Sequence, residues 1–166
     1  GNGDNTVSTG AGADTIVAGT GNDSINAGDD ADTVTLTAGV NTLDAGAGAD
    51  TITLGTGTDS VQSGADADLI QANANLTVAD TITGGSEADK LTISNDTAVT
   101  DLDNVTEVET IELLDGNSFA YTISNSSAFD NDTTGVTIDG DALTGANTLN
   151  FSATNLTRAI TILSGA

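Results

Sequence analysis

From Gly10 to Ala72 the chain repeats every nine residues without a gap: GAGADTIVA, GTGNDSINA, GDDADTVTL, TAGVNTLDA, GAGADTITL, GTGTDSVQS and GADADLIQA. An eighth unit, GNGDNTVST, precedes them at Gly1 to Thr9. No other feature narrows the possible folds as much. A nine-residue unit cannot bury its own apolar side chains, so units of this kind are stable only when stacked on one another.

Within a unit the first five residues favour a turn and the last four a strand. Glycine at the first and third positions permits positive φ and close backbone approach. Stretches such as Thr15-Ile16-Val17 and Thr51-Ile52-Thr53 are rich in β-branched residues. The seventh position is Val7, Ile16, Ile25, Val34, Leu43, Ile52, Val61 and Ile70. It is always aliphatic, so it faces a core, while the mostly polar sixth and eighth positions face water. Two units per coil would set each unit on the next but one, a strand spacing of about 4.8 Å away. The expected fold is therefore all-β: a parallel β-solenoid with a ladder of single aliphatics inside. So thin a core needs further support.

The fifth position is where that support is expected. It reads Asn5, Asp14, Asp23, Asp32, Asn41, Asp50, Asp59 and Asp68. Alternate units sort these into two columns: Asp14, Asp32, Asp50 and Asp68 on one edge, and Asn5, Asp23, Asn41 and Asp59 on the other. Carboxylates about 4.8 Å apart repel by roughly 1 kcal/mol in water and 3–4 kcal/mol at an effective dielectric of about 20. A cation between coils would turn the same oxygens into ligands. In the competing reading, a metal-free solenoid uses these Asp and Asn side chains only to cap turns.

Composition decides which cations qualify. The chain has 25 acidic residues against two basic ones, a formal charge of -23, and no His, Cys, Met, Trp or Pro. Disulfides are excluded, as are the imidazole and thiolate ligands of zinc, copper and haem sites. Oxygen ligands remain, and these suit hard cations such as Ca²⁺. Such a chain cannot hold nucleic acid or an anionic membrane surface by charge. It contains no apolar run near 18 residues that could span a bilayer.

These units resemble the RTX (repeats-in-toxin) calcium-binding nonapeptide family, G-G-x-G-x-D-x-U-x. The resemblance runs from about Gly1 to Ile93, and GAGADTI occurs twice intact, at Gly10 and Gly46. The leading glycine pair is mostly absent. The resemblance implies a right-handed parallel β-roll with Ca²⁺ ions in its turns. It implies side-chain ligands at Asp14, Asp23, Asp32, Asp50, Asp59 and Asp68, and carbonyl ligands near Gly10, Gly12, Gly19, Gly21, Gly46, Gly48, Gly55 and Gly57. Asn5 and Asn41 are candidate ligands at interrupted positions.

A longer period of 36 residues relates Gly10 to Gly46. The third unit of each such module has Asp in place of its second glycine, at Asp30 and Asp66. These two are further candidates, with plain surface exposure as the alternative. The Asp14/Asp32/Asp50/Asp68 edge is expected to bind Ca²⁺ more tightly than the Asn-interrupted edge.

At Asn73-Ala74-Asn75 a three-residue insertion breaks the phase, and the motif resumes at Asp80-Thr81-Ile82 and Asp89-Lys90-Leu91. Asp80 and Asp89 complete the set of candidate ligands. From about Ser94 the nonapeptide is lost. Five short strands are expected instead, over Glu109–Leu113, Ala120–Ser124, Gly135–Asp139, Thr148–Ser152 and Ala159–Leu163, in wider, metal-poor solenoid coils carrying Phe119, Tyr121, Phe129 and Phe151. The expected organisation is a calcium-binding β-roll over 1–93 and a continued β-solenoid over 94–166, together a segment of a longer repetitive protein.

No nucleophile, His or Cys is present in a catalytic context, so an enzyme is not expected. The expectation is a calcium-dependent structural segment of a secreted bacterial cell-surface protein, an S-layer, adhesin or surface filament. It would fold outside the cell and self-associate into a lattice or filament. Asn104 to Ile111 resembles segments between RTX blocks in such proteins. The alternatives are a folding and secretion module beside a toxin or extracellular hydrolase, exported by type I secretion, and an ice-binding RTX roll. The last needs unbroken outward Thr and Asn at the second and fourth positions, which Ala38 and Val40 interrupt.

Overall fold

The computed structural model describes residues 1–94, 102–114, 119–123, 136–140, 149–153 and 159–164. Regular structure among them is all β. The strands are β1 (Thr6–Ala11), β2 (Thr15–Val17), β3 (Ser24–Asp29), β4 (Thr33–Thr35), β5 (Ala38–Ala47), β6 (Thr51–Thr53), β7 (Thr56–Ala65) and β8 (Leu69–Asn73). They continue as β9 (Thr81–Gly85), β10 (Lys90–Ile93), β11 (Val105–Thr106), β12 (Thr110–Leu113), β13 (Phe119–Ile123), β14 (Val136–Gly140), β15 (Leu149–Ala153) and β16 (Ile160–Ser164).

Successive strands alternate between two parallel sheets. One runs β1-β3-β5-β7-β9-β11 and the other β2-β4-β6-β8-β10-β12-β14-β16, with β13 and β15 forming a separate parallel pair. Through the repeats each residue faces the one eighteen further on: Ile25 faces Leu43, and Ile52 faces Ile70. This is the β-solenoid that the nine-residue period requires, with two units to each coil.

The interior is richer than one aliphatic per unit. The seventh-position residues from Ile16 to Ile70 are buried, as expected. The ninth position is buried too, at Ala18, Ala27, Leu36, Ala45, Leu54, Ser63 and Ala72. Fifth-position Asp23, Asp32, Asn41, Asp50, Asp59 and Asp68 are also inside. The fifth, seventh and ninth positions of a unit share one face of the pleat, as the two-residue alternation of a strand dictates. The ladder of single aliphatics is thus corrected to two packed residues per unit flanked by an acid.

Glycine at the unit start answers to sterics between coils. A Cβ on Gly46 would lie 2.0 Å from the Gly28 carbonyl oxygen, and its φ of 108° is left-handed. Only glycine meets both conditions without displacing the backbone.

The insertion at Asn73 leaves the stack intact. Past it the offset becomes twenty-one, so Val61 faces Ile82 and Ile70 faces Leu91. The extra residues form a corner in which Leu76 is buried and the Asn75 side chain donates to the Leu54 carbonyl at 3.0 Å. Asp80 accepts from the Thr77 backbone N–H at 2.6 Å and re-enters the acidic column.

In the second half all five expected strands are present, each within a residue or so of the expected bounds, and β11 is an addition. Coils widen: Thr110 faces Thr137, Val136 faces Ile160 and Phe119 faces Leu149. Phe129 lies outside the described residues.

Candidate metal centre

Asp14, Asp23, Asp32, Asp50 and Asp68 each directly precede a strand, alternately of one sheet and the other, while Asn41 and Asp59 lie within β5 and β7. Thr33 N donates to Asp14 O and Thr51 N to Asp32 O, so the coils are pinned together at the acid itself. The side chains add a second tie. Oδ1 of Asp32 accepts the backbone N–H of Asp14 at 2.7 Å, and Oδ1 of Asp50 accepts that of Asp32 at 2.7 Å. Asp68 accepts from Asp50 at 2.8 Å, and Asp89 from Asp68 at 2.9 Å. The other column runs alike. Asp23 accepts from Asn5 N, Asn41 from Asp23 N and Asp80 from Asp59 N. Stacked carboxylates therefore do more than repel: one oxygen of each caps the preceding coil. This tie is absent from a reading of the period alone.

The second oxygens differ from position to position. The Oδ2 atoms of Asp32, Asp50, Asp68 and Asp89 are buried without a protein hydrogen-bond partner, and so is that of Asp23. On the Asn-interrupted edge, Oδ2 of Asp59 accepts the Gly55 N–H at 3.2 Å, and Oδ2 of Asp80 accepts from both Thr77 N and Thr77 Oγ1. A buried carboxylate oxygen with no donor is costly, and it needs either a proton or a cation.

Electrostatics agree. Burial pushes Asp50 up to about 6, and the Asp68, Asp32 and Asp66 carboxylates add to it against the N–H of Asp32. Burial likewise raises Asp89 to about 7, with Asp68, Glu109 and Glu87 contributing. Asp59 and Asp68 are raised chiefly by burial as well.

Asn5 reveals what the cradle offers. Its amide nitrogen donates to the carbonyls of Gly1 and Gly3 and to Oδ1 of Asp23. Two glycine-region carbonyls and a carboxylate from the next coil thus surround one electropositive group. Asn41 acts similarly, its amide donating to Asp59 Oδ1 at 2.9 Å. At both positions an amide N–H₂ stands where an Asp would present a second carboxylate oxygen. Among the described residues no three acidic side chains converge as a metal cage. The donor set is mixed carboxylate and carbonyl oxygen, which fits a hard cation of flexible geometry such as Ca²⁺.

The remaining candidates fall into place around this. Gly10, Gly12, Gly19, Gly21, Gly46, Gly48 and Gly57 have positive φ, and Gly55 does not. A Cβ on Gly55 would lie 1.6 Å from the Thr37 carbonyl oxygen. Asp30 and Asp66 are exposed, with left-handed φ of 74° and 76°. They hold the turn conformation that Gly12 and Gly48 hold in the other units, and Asp30 Oδ2 accepts the Gly12 N–H at 3.2 Å. Asp80 and Asp89 are buried in the two columns.

A parallel two-sheet roll with oxygen-lined turns between its coils defines a cation-binding repeat. The model of the RTX calcium-binding nonapeptide repeat (4 copies) matches residues 1–34 and 35–70. Residues 1–70 thus match the repeats of that family, repeats that bind calcium and occur in proteins that are generally secreted. Neither the curated proteins nor the solved structures contain a match to the chain.

Proposed function

We propose that this chain is a structural, non-catalytic segment of a secreted bacterial cell-surface protein that folds when it meets calcium outside the cell. S-layers, adhesins and surface filaments are the assemblies this reading points to, with self-association of the rolls as its final step. The observation that carries it is the row of buried, donor-less Oδ2 atoms at Asp32, Asp50, Asp68 and Asp89. Bound calcium would supply positive charge shared by the carboxylates of successive coils. The chain's own residues do the rest. Asp Oδ1 atoms cap the coil before, glycine turns bring carbonyls alongside, and the aliphatic ladder holds the sheets. At low calcium the same carboxylates, in a chain of charge -23, oppose the stack. Extracellular modules bind at about 10⁻⁴–10⁻³ M, which suits a switch between cytosol and exterior.

The test is circular dichroism of the purified chain in chelator and in millimolar calcium, followed by electron microscopy. The reading expects β signal and ordered assemblies only with calcium. An unchanged spectrum and melting temperature in chelator would overturn calcium-coupled folding. Calcium-dependent folding with no assembly would favour a folding module beside another domain.

A further inference from the structure

We propose that the cation ladder extends one rung beyond the nonapeptides, to a site formed by Asp89, the Glu107 carbonyl and the Glu109 carboxylate. It rests on the calcium reading of the repeats, but its residues lie past those matched by the family, and Glu107 and Glu109 belong to no nonapeptide.

Three observations place it. First, Glu109 takes the next position in the acidic column. Its Oε2 accepts the Asp89 backbone N–H at 2.6 Å, as Asp89 accepts from Asp68 and Asp68 from Asp50. The main chain follows suit, Thr110 N donating to Asp89 O at 3.0 Å. Secondly, Asp89 is 1% exposed and its Oδ2 meets no hydrogen-bond donor. Thirdly, that oxygen opens on a cradle. A Cβ on Gly84 would stand 2.6 Å from Asp89 Oδ2 and 1.8 Å from the Glu107 carbonyl oxygen. The two oxygens are therefore less than about 5 Å apart, the most that one calcium can span at 2.3–2.6 Å per ligand.

The local chain explains the convergence. Glu107 has a φ of 54°, two residues ahead of the column acid, as Asp66 (76°) precedes Asp68 and Glu87 (77°) precedes Asp89. Between β11 and β12 the turn has shortened to residues 107–109, and Val108 is buried within it. Ile82 faces Val105 but Lys90 faces Thr110, so the coil loses three residues at this corner. The Glu107 carbonyl oxygen also accepts the Gly85 N–H at 3.2 Å, and a carbonyl has a second lone pair for an ion. Glutamate at 109 adds the methylene needed to reach the Asp89 N–H from a residue less deeply buried than its column neighbours.

The ligand class is a hard divalent cation, with Ca²⁺ as the probe. Native mass spectrometry of the whole chain in calcium, with equilibrium dialysis, counts bound ions in the wild type, Glu109→Gln and Asp89→Asn. Both amides keep an oxygen for the hydrogen bond from the preceding coil. Glu109→Gln is expected to lose one ion per chain with the rest retained, and Asp89→Asn at least one. Asp32→Asn serves as the control within the repeats. If the wild type and Asp32→Asn bind calcium and differ, while Glu109→Gln and Asp89→Asn match the wild type, the added rung is refuted and the repeat reading stands. If the wild type binds no calcium, both fail. Should Glu109→Gln lose β signal in calcium, Glu109→Asp, too short to reach but still charged, decides: an ion count equal to wild type refutes the site.

Discussion

The backbone N–H of Asp50 points at Oδ1 of Asp68, 2.8 Å away in the next coil, while the other oxygen of Asp68 is buried with no donor. On the opposite edge the corresponding spare oxygen of Asp59 is already held by the Gly55 N–H. Asp59 and Asp80 therefore make less demand on a cation than Asp50 and Asp68 do, whereas Asp23 on their own edge resembles the latter.

Asp50→Asn should therefore weaken calcium binding more than Asp59→Asn. Asparagine at 50 keeps the acceptor for Asp32 N and removes charge from two adjacent gaps. In calcium at about ten times Kd each lost site removes roughly 1.4 kcal/mol, so Asp50→Asn should cost about 1–3 kcal/mol and Asp59→Asn less than half of that. Calcium titrations followed by circular dichroism check this; equal shifts of the midpoint would dissolve the difference between the two positions.

The metal-free chain should gain stability on acidification, opposite to ordinary acid denaturation. Asp50 and Asp89 are raised to about 6 and about 7, so each holds its proton more tightly folded than unfolded. Their protonation is a stabilising contribution present in full below about pH 4 and lost as pH rises through those values. In chelator the melting temperature should climb from about pH 8 down to about pH 4.5, and Asp89→Asn should flatten the climb. In excess calcium the trend should reverse, because protons then compete with the ion.

Gly46→Ala should disrupt the stack at the middle of the repeats. The new Cβ would meet the Gly28 carbonyl at 2.0 Å from a left-handed backbone. The conformational term alone costs roughly 1–2 kcal/mol and the clash adds to it. A fall in melting temperature that persists in saturating calcium identifies the defect as steric; full rescue by calcium would count against it.

Asp66→Gly should be neutral or stabilising, despite removing an acidic residue from one of the repeat turns. Asp66 is exposed with a φ of 76°, and its charge helps to raise Asp50. Glycine relieves the backbone by up to about 1 kcal/mol, part of which its freedom in the unfolded chain takes back. A rise in the chelator-state melting temperature with unchanged calcium stoichiometry is the expected result. Loss of an ion would make Asp66 a ligand.

The parallel stack was legible because aliphatics at the seventh position never break phase, and Asp80 and Asp89 could be placed because the motif resumes nine residues apart. The ninth position was not. Ala18, Ala27, Ala45 and Ser63 carry little hydrophobic signal, and only the two-residue alternation from the acid through the aliphatic puts them inside. Nor could the period show that one oxygen of each aspartate would cap the coil behind it, since that depends on how the turns close. Glu109 escaped notice because a shortened corner, not a motif, brings it into line. The five later strands were found from β-branched alternation, whereas Val105–Thr106 was too short to stand out.

The fifth-position ties within the two columns all run one way. Donors sit in the earlier coil and acceptors in the later, from Asn5 to Asp23 and from Asp14 to Asp32 through to Asp89 and Glu109. The roll thus has a head and a tail that respond differently to cutting. Trimming coils from the front uncovers carboxylates, which water solvates readily. Trimming from the back strips the caps from amide groups still facing inward, so damage at that end should travel further along the axis.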